Sequence, residues 1–270
     1  MRSLIPIKDH CFVFVHCRTI MATISTNFGH DSMEAFRDAL PIGSGAAATA
    51  DRLCEIGYCL QLARGDQLAP DPREDRLVYI AAGAAKLVAQ PVTGSPVNQV
   101  LAFHFAEDMI SMLRQCAGNS WGDFRLVALT ECDIAVFPAE RFLDIAQGDP
   151  AVLRSVLARS LQALHRSRTR MMQMGHKSAQ QRIADFLVSM AERLADCTAG
   201  PCAFALPMSR RDIGDSLGLT IETVSRQLTE LREAGLVETE GRSKVCLSDV
   251  SALARIAGRH ADQTGDAPNY

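Results

Sequence analysis

Nothing in this chain of 270 residues is built to cross a membrane. The fairly apolar stretch over residues 11–24 is short and broken by His16 and Arg18, so it reads as neither a spanning helix nor the core of an export signal. The expected compartment is therefore the cytoplasm, with no membrane partner. A disulfide framework is missing as well. The nine cysteines (Cys11, Cys17, Cys54, Cys59, Cys116, Cys132, Cys197, Cys202, Cys246) are an odd number without an export signal, which argues for free thiols. No internal repeat or low-complexity tract occurs, which excludes a solenoid. A strong charge of one sign is also lacking: 28 Lys and Arg stand against 31 Asp and Glu, for a net charge of -3. Affinity for a polyanion must then come from locally placed residues. Acidic residues are wholly absent between Asp149 and Asp185, where Arg154, Arg159, Arg166, Arg168, Arg170, Lys177 and Arg182 stand.

What is present is an ordinary globular composition, 47% hydrophobic and 22% charged, in a length that accommodates two domains. Residues 1–33 read as a disordered extension, within which Met21 and Met33 are alternative starts. Residues 34–63 have a helical pattern. After Gly65, the runs RLVYIAAGAAKLVAQ, NQVLAFHF and FRLVALTECDIAVF are short, apolar or alternating, and bounded by Gly, Pro, Asp and Asn, the pattern of a β-roll. Beyond Pro150 the one helix breaker before residue 196 is Gly175, which predicts a long helix, a break near Gly175 and His176, and a second helix. The predicted organisation is a β-roll domain over residues 34–149, a long helix over 150–176, a second domain over 177–260 and a disordered tail over 261–270.

Residues 210–228, RRDIGDSLGLTIETVSRQL, carry the most specific pattern. Ile213, Leu217 and Leu219 in the first half, and Val224 and Leu228 in the second, are apolar at helical spacing on facing sides. Gly214 lets two backbones approach and Gly218 supplies the turn between two helices. That leaves Ile221, Glu222, Ser225 and Arg226 outward on the start of the second helix, where a helix-turn-helix unit presents side chains to the major groove. Pro201 and Pro207 mark the approach to the unit, Gly235 closes its last helix, and LVETEGRSKVCLS reads as a two-stranded wing turning at Gly241.

In the long helix, Leu153, Leu157, Ser160, Leu164, Ser167, Met171 and Met174 recur at alternating spacings of four and three, the stripe of a parallel coiled coil. This predicts a homodimer through Leu153, Leu157, Leu164, Met171 and Met174, with Leu161, Met172 and Val156 widening the apolar surface. One buried face against the β-roll would use the same stripe, and the two uses are compatible. Arg168 and Arg170 fall beside the seam, facing the partner helix. Either the arginines of this helix pair with the acidic first 150 residues or point to water, or their repulsion holds the dimer near its dissociation threshold.

The string LPMSRRDIGDSLGLTIETVSRQLTEL resembles the DNA-binding core of the CRP/FNR superfamily, and most of all its FNR/FixK-type branch. The order of parts is similar over roughly residues 46–257, with RLVYIAAGAAKLV and CDIAVFPAERF matching the sensor in outline. The resemblance implies an α+β fold: an N-terminal β-roll of the cyclic-nucleotide-binding-domain type, a long dimerisation helix and a C-terminal winged helix-turn-helix. It implies a homodimeric transcription regulator rather than an enzyme, with double-stranded DNA and RNA polymerase as partners and low-oxygen or nitrogen-oxide genes as targets. By position, Glu222, Ser225 and Arg226 match the branch's base-reading residues. Arg226 can donate a bidentate pair to guanine, Glu222 can accept from a cytosine or adenine amino group and orient Arg226, and Ser225 can contact thymine. Ile221 stands where the catabolite-activator branch has an arginine, which favours a TTGAT/ATCAA-like inverted repeat over a TGTGA-type site. Ser209, Arg210, Arg211, Thr223 and Arg242 are the expected phosphate contacts, and Ser209 serves equally well as a helix N-cap.

No cofactor is expected in the sensor half. Met112, Gly122 and Asp123 stand where the superfamily's cyclic-nucleotide binders hold the phosphate, so a phosphate would meet no cation; Met112 reads as core. An iron–sulfur cluster needs four thiolates, and Cys11, Cys17, Cys54 and Cys59 lack the branch's spacing while Ala135 takes the place of the fourth. Cys116 and Cys132 read as small buried hydrophobes. For haem, His104, His165 and His176 are candidates that no spacing singles out, so a haem- or thiol-gated regulator is the alternative. Cys202 and Cys246 are candidate redox thiols, with inert packing as the other reading. A cupin-like metal enzyme would need clustered His and carboxylate ligands, and the sensor strands offer His104 alone; no metal site is expected.

Overall fold

The computed structural model describes residues 28–41, 46–89, 99–114, 124–241 and 243–259. Helices α1 (Phe28–Asp38) and α2 (Ala46–Ile56) precede eight strands: β1 (Tyr58–Leu62), β2 (Gln67–Leu68), β3 (Arg76–Ala82), β4 (Ala84–Ala89), β5 (Gln99–Phe105), β6 (Met109–Met112), β7 (Phe124–Ala128) and β8 (Cys132–Pro138). These form two four-stranded antiparallel sheets, in the orders β1-β8-β3-β6 and β2-β7-β4-β5. This is the expected β-roll. Its central strands are apolar on both faces because each face is covered. Val78, Ile80, Ile134 and Val136 fill the space between the sheets with Ile110, Met112 and Leu126, whereas Tyr79, Ala135 and Phe137 face the helices. Phe36 of α1 sits at the hub of that second cluster, 4.5 Å from the Phe137 ring and 5.4 Å from the Tyr79 ring.

Two expectations are corrected at the N-terminal end. Helix α1 begins at Phe28, and Ser32 is buried, so order starts before the boundary expected after residue 33. The helical pattern read over residues 34–63 also includes a strand. Helix α2 ends at Ile56, and β1 then pairs along the edge of β8, with Tyr58 opposite Val136 and Leu62 opposite Cys132. Pairing with β8 overrides local propensity there. Gly57 marks the switch: a Cβ on it would lie 2.5 Å from the Phe137 ring.

After α3 (Ala139–Ala146) comes the long helix α4 (Pro150–His176), then α5 (Ala179–Ala195), opened by a capping box between Ser178 and Gln181. The break expected near Gly175 and His176 is where these two helices meet. Val152 and Val156 of α4 are buried against the α1–α3 cluster, so Val156 does not widen the exposed stripe. Leu157, Leu161 and Leu164 are 55%, 56% and 45% exposed, and Met171 is 70% exposed. Leu153 also reaches the surface, while the Met174 side chain lies outside what is described. Arg159, Arg166 and Arg170 of α4 turn to the N-terminal domain, two of them to backbone carbonyls and one to an acid. Arg159 donates to Glu107 O (2.5 Å) and Ala39 O (3.1 Å), and Arg166 lies 3.7 Å from Asp108. Arg170, expected to face a partner helix, instead bends back to donate to Leu101 O.

The C-terminal domain is built from α5, β9 (Cys202–Ala205), α6 (Arg210–Leu217), α7 (Ile221–Glu233), β10 (Val237–Glu240), β11 (Lys244–Leu247) and α8 (Val250–Ile256). The wing turns at Gly241 as expected. Strand β9 joins it in a three-stranded sheet, β10-β11-β9, an addition the sequence pattern did not suggest.

Candidate nucleic-acid interface

Helix α6 starts on a capping box: the Ser209 hydroxyl accepts from the Asp212 amide, and the Asp212 carboxylate accepts from the Ser209 amide. The helix ends at Gly218, whose φ of +64° is the left-handed conformation that closes a helix without a Cβ clash. The Thr220 hydroxyl then caps α7, accepting from the Thr223 amide at 3.2 Å. Ile213, Leu217, Val224, Leu228 and Leu231 are buried between the helices. At Gly214 the backbones approach so closely that a Cβ would stand 2.6 Å from Leu219 O. Each glycine therefore has the role its spacing predicts.

This scaffold leaves Glu222 and Arg226 exposed and Ile221, Thr223 and Ser225 half-buried at the start of α7. The Arg226 side chain is 68% exposed, and its Nε lies 3.9 Å from Glu230 Oε1. Glu222 is turned the other way. Its carboxyl is held below the usual range by its own backbone amide and the Thr220 hydroxyl, with Arg211 adding attraction. The expected orientation of Arg226 by Glu222 is thus not formed: Glu222 caps the helix start, and Arg226 leans toward the next turn. Arg210 reaches across from α6, its Nη1 donating to Ser225 Oγ at 3.3 Å. The Ser209 hydroxyl donates to Asp212 Oδ2 at 2.6 Å, so it is occupied as a cap. Arg242 lies outside the described residues, as do Gly122, Asp123, Cys11, Cys17 and Cys116.

Sequence reasoning missed how the interface is held. Helices α5–α7 dock on the outer face of β4 and β5, where Val88, Val100, Phe103 and Phe105 share one apolar cluster with Ile183, Phe186, Leu187, Phe204, Ile213 and Val224. Lys86 of β4 forms an ion pair with Asp212 of α6. Burial alone would raise the Asp212 carboxyl, but hydrogen bonds from Lys86 and Ser209 hold it below its usual range. Arg193 of α5 donates to Phe103 O at 2.9 Å and Asp108 Oδ2 at 2.5 Å, and its guanidinium lies 4.5 Å from the Phe105 ring centre. Asp108 also contacts His104 Nδ1 at 3.2 Å. Burial lowers the affinity of His104 for a proton, so the ring is neutral at pH 7. The one available signal was NQVLAFHF, which is too apolar for a strand with a wet face.

Among the described residues, no three His, Cys, Asp or Glu side chains converge as metal ligands. Cys54 is on α2 and Cys59 on β1, opposite Ala135, and Met112 is a fully buried core residue. Among the described helices, none is long and apolar enough to cross a membrane.

Residues 181–256 match the family model of the Crp-like helix-turn-helix domain. The chain is 36% identical over 161 residues to a probable transcriptional activator of Rhizobium leguminosarum, an alignment covering 59% of this chain and 65% of that one. It is 30% identical over 215 residues to the nitrogen fixation regulation protein FixK of Azorhizobium caulinodans, covering 78% of this chain and 84% of the relative. In three dimensions it is similar to FixK2 from Bradyrhizobium japonicum, with a TM-score of 0.61 and 27% identity over 74% of this chain and 97% of that structure. These relatives are regulators, not enzymes. With its antiparallel β-roll, long helix and winged helix-turn-helix, this chain belongs to the CRP/FNR superfamily of transcription regulators, in the FNR/FixK branch.

Proposed function

We propose that this regulator works in the cytoplasm as a homodimer that reads a TTGAT-type inverted repeat, TTGAT and ATCAA separated by four base pairs. The observation that carries the reading is the presentation of Glu222, Ser225 and Arg226 together at the open start of α7. In the major groove, Arg226 pairs with guanine, Glu222 accepts from a cytosine or adenine amino group, and Ser225 contacts thymine. Ile221 has no group with which to read a further guanine. Arg210, Arg211, Thr223 and Arg242 take the neighbouring phosphates. Ser209 holds the end of α6, whose backbone amides also face the phosphates.

The dimer is supported by the apolar stripe of α4, where Leu153, Leu157, Leu161, Leu164 and Met171 lie exposed in a row. A second copy of the same helix, packed in parallel, covers such a stripe. It also sets two copies of α7 about 34 Å apart, one turn of DNA. Bound DNA then presents the β-roll or the wing to RNA polymerase. Genes of low-oxygen or nitrogen-oxide metabolism are the proposed targets, in keeping with the nitrogen fixation role named for FixK. We take the regulator to act without haem, iron–sulfur cluster or cyclic nucleotide.

The test is a titration of fluorescent duplexes at fixed salt, comparing the inverted repeat, its single-base variants and a scrambled sequence. Binding to the repeat should exceed binding to the scrambled duplex by roughly a thousandfold or more; equal binding would sink the reading.

A further inference from the structure

Two thiols lie near each other at the base of the wing, and a third stands on the neighbouring strand. Cys197 follows α5, Cys202 opens β9, and Cys246 lies in β11, opposite Ala203 and beside Leu247, the partner of Cys202. Cys197 is half-buried and packs against the cluster that contains Cys202, which is 9% exposed. The Cys197 sulfur donates to Ala199 O at 3.4 Å and to Pro201 O, on the residue before Cys202, at 3.9 Å. The turn between them is pinned at both ends. The Cys197 amide donates to Ala191 O at 3.1 Å, and Gly200 O accepts from the Val250 amide at 2.8 Å. Backbone already bonded to two helices therefore holds the Cys197 sulfur against the residue that precedes Cys202.

We propose that Cys197 and Cys202 form a reversible dithiol–disulfide site that lowers DNA affinity when it closes. This goes beyond single-thiol chemistry at Cys202 or Cys246, and its effect on DNA rests on the function proposed above. The oxidant is a peroxide. The partly exposed Cys197 thiolate attacks one peroxide oxygen, the O–O bond breaks, and water leaves, so Cys197 carries S–OH. The Cys202 sulfur then attacks the Cys197 sulfur; the S–O bond breaks, and the hydroxyl leaves as a second water with the Cys202 proton. Two electrons and two protons pass from the thiols to the peroxide in all. Cys202 is buried and Cys197 is half-buried, so the peroxide reaches Cys197 first; burial also pushes the Cys202 thiol up. Closing the bond draws the sulfurs to about 2.05 Å. That pulls on β9, which is bonded to β11 from Cys202 to Ala205, and so re-aims the wing.

The test uses the full chain, reduced, freed of reductant and then treated with hydrogen peroxide. Peptide mass mapping should find the Cys197–Cys202 cross-link with loss of two hydrogens, and dithiothreitol should reverse it. Cys246→Ser should retain the link and Cys197→Ser should lose it. Affinity for the inverted repeat should fall roughly fivefold or more on oxidation, the lower end of coupling between sites. The reduced protein and oxidised Cys197→Ser should keep full affinity. A link mapped elsewhere, irreversible oxidation without a link, or a complete link with unchanged affinity would each overturn the proposal. Mapping needs no DNA, so a reduced protein that ignores the repeat counts against the base reading alone.

Discussion

Lys86 of β4 and Asp212 of α6 form an ion pair that ties the β-roll to the first helix of the DNA-binding unit. Asp212 is at once a member of the α6 capping box and the acceptor of this inter-domain bond. Lys86→Met should keep the cap but remove the tie. With side chains 21% and 12% exposed, the loss should be about 1–2 kcal/mol, read as a lower urea midpoint. Added salt should narrow the gap between wild type and variant, and a gap indifferent to salt would count against an electrostatic tie.

Arg193 satisfies Phe103 O and Asp108 and covers the Phe105 ring from a single guanidinium. Removing it leaves Asp108 with its weaker partners, His104, the Phe105 amide and Arg166. Arg193→Ala should destabilise the protein by on the order of 3 kcal/mol. Arg193→Lys should recover only part of this, because an ammonium does not reproduce the fork. Equal stability of the lysine and wild-type proteins in urea would refute the geometry.

Acid should weaken the same junction in two stages. Burial lowers the His104 pKa; Asp108, which burial alone would raise, is brought down to about 2 by His104 and Arg193. Both folded values lie below the unfolded ones, so each contribution is complete above the unfolded pKa and is lost as pH falls. The His104 share fades below about pH 6.5 and the Asp108 share between about pH 4 and 2, the latter worth on the order of 2 kcal/mol at neutral pH. Urea midpoints across this range should fall with acidity, and Asp108→Asn should flatten the lower stage.

Arg226→Ala should cost about 1–3 kcal/mol in duplex binding and relax the preference for guanine at its position. Thr220→Ala removes the N-cap of α7 and should cost about 1 kcal/mol of stability while keeping the guanine preference at the Arg226 position. Titration of single-base duplex variants separates the two; a general loss of affinity with guanine preference intact would show that Arg226 contacts phosphate.

Leu157→Glu and Leu164→Glu place charges on the exposed stripe of α4. Sedimentation should show each as a monomer at concentrations where wild type is a dimer, with circular dichroism unchanged. Arg168→Glu tests the repulsion idea, and should strengthen association at low salt. A wild-type protein that sediments as a monomer would end the coiled-coil reading.

The helix-turn-helix was legible because each of its residues answers to local physics: Gly214 to a backbone contact, Gly218 to a positive φ, and Ile213, Leu217, Val224 and Leu228 to a short amphipathic period. The β-roll was legible in outline because β3 and β8 are apolar on both faces. Strand β1 was not, since five residues at a sheet edge owe their conformation to β8, a partner distant in sequence. Arg170 deceived for a related reason. Heptad position describes where its Cα stands, whereas a long side chain with five donors goes where carbonyls are free, here to Leu101. Lys86, Arg193 and Asp108 carry no pattern at all; they acquire meaning only once two domains meet.

The apolar cluster that runs from Val88 and Phe103 through Phe186 to Val224 belongs to neither half of the molecule alone. An excised C-terminal fragment would turn Ile183 and Phe186 outward as an oily scar, and a truncated β-roll would do the same with Phe103 and Phe105. Heat should accordingly melt the intact chain in one step, and a lesion deep in the barrel should be felt at the helix that meets the bases.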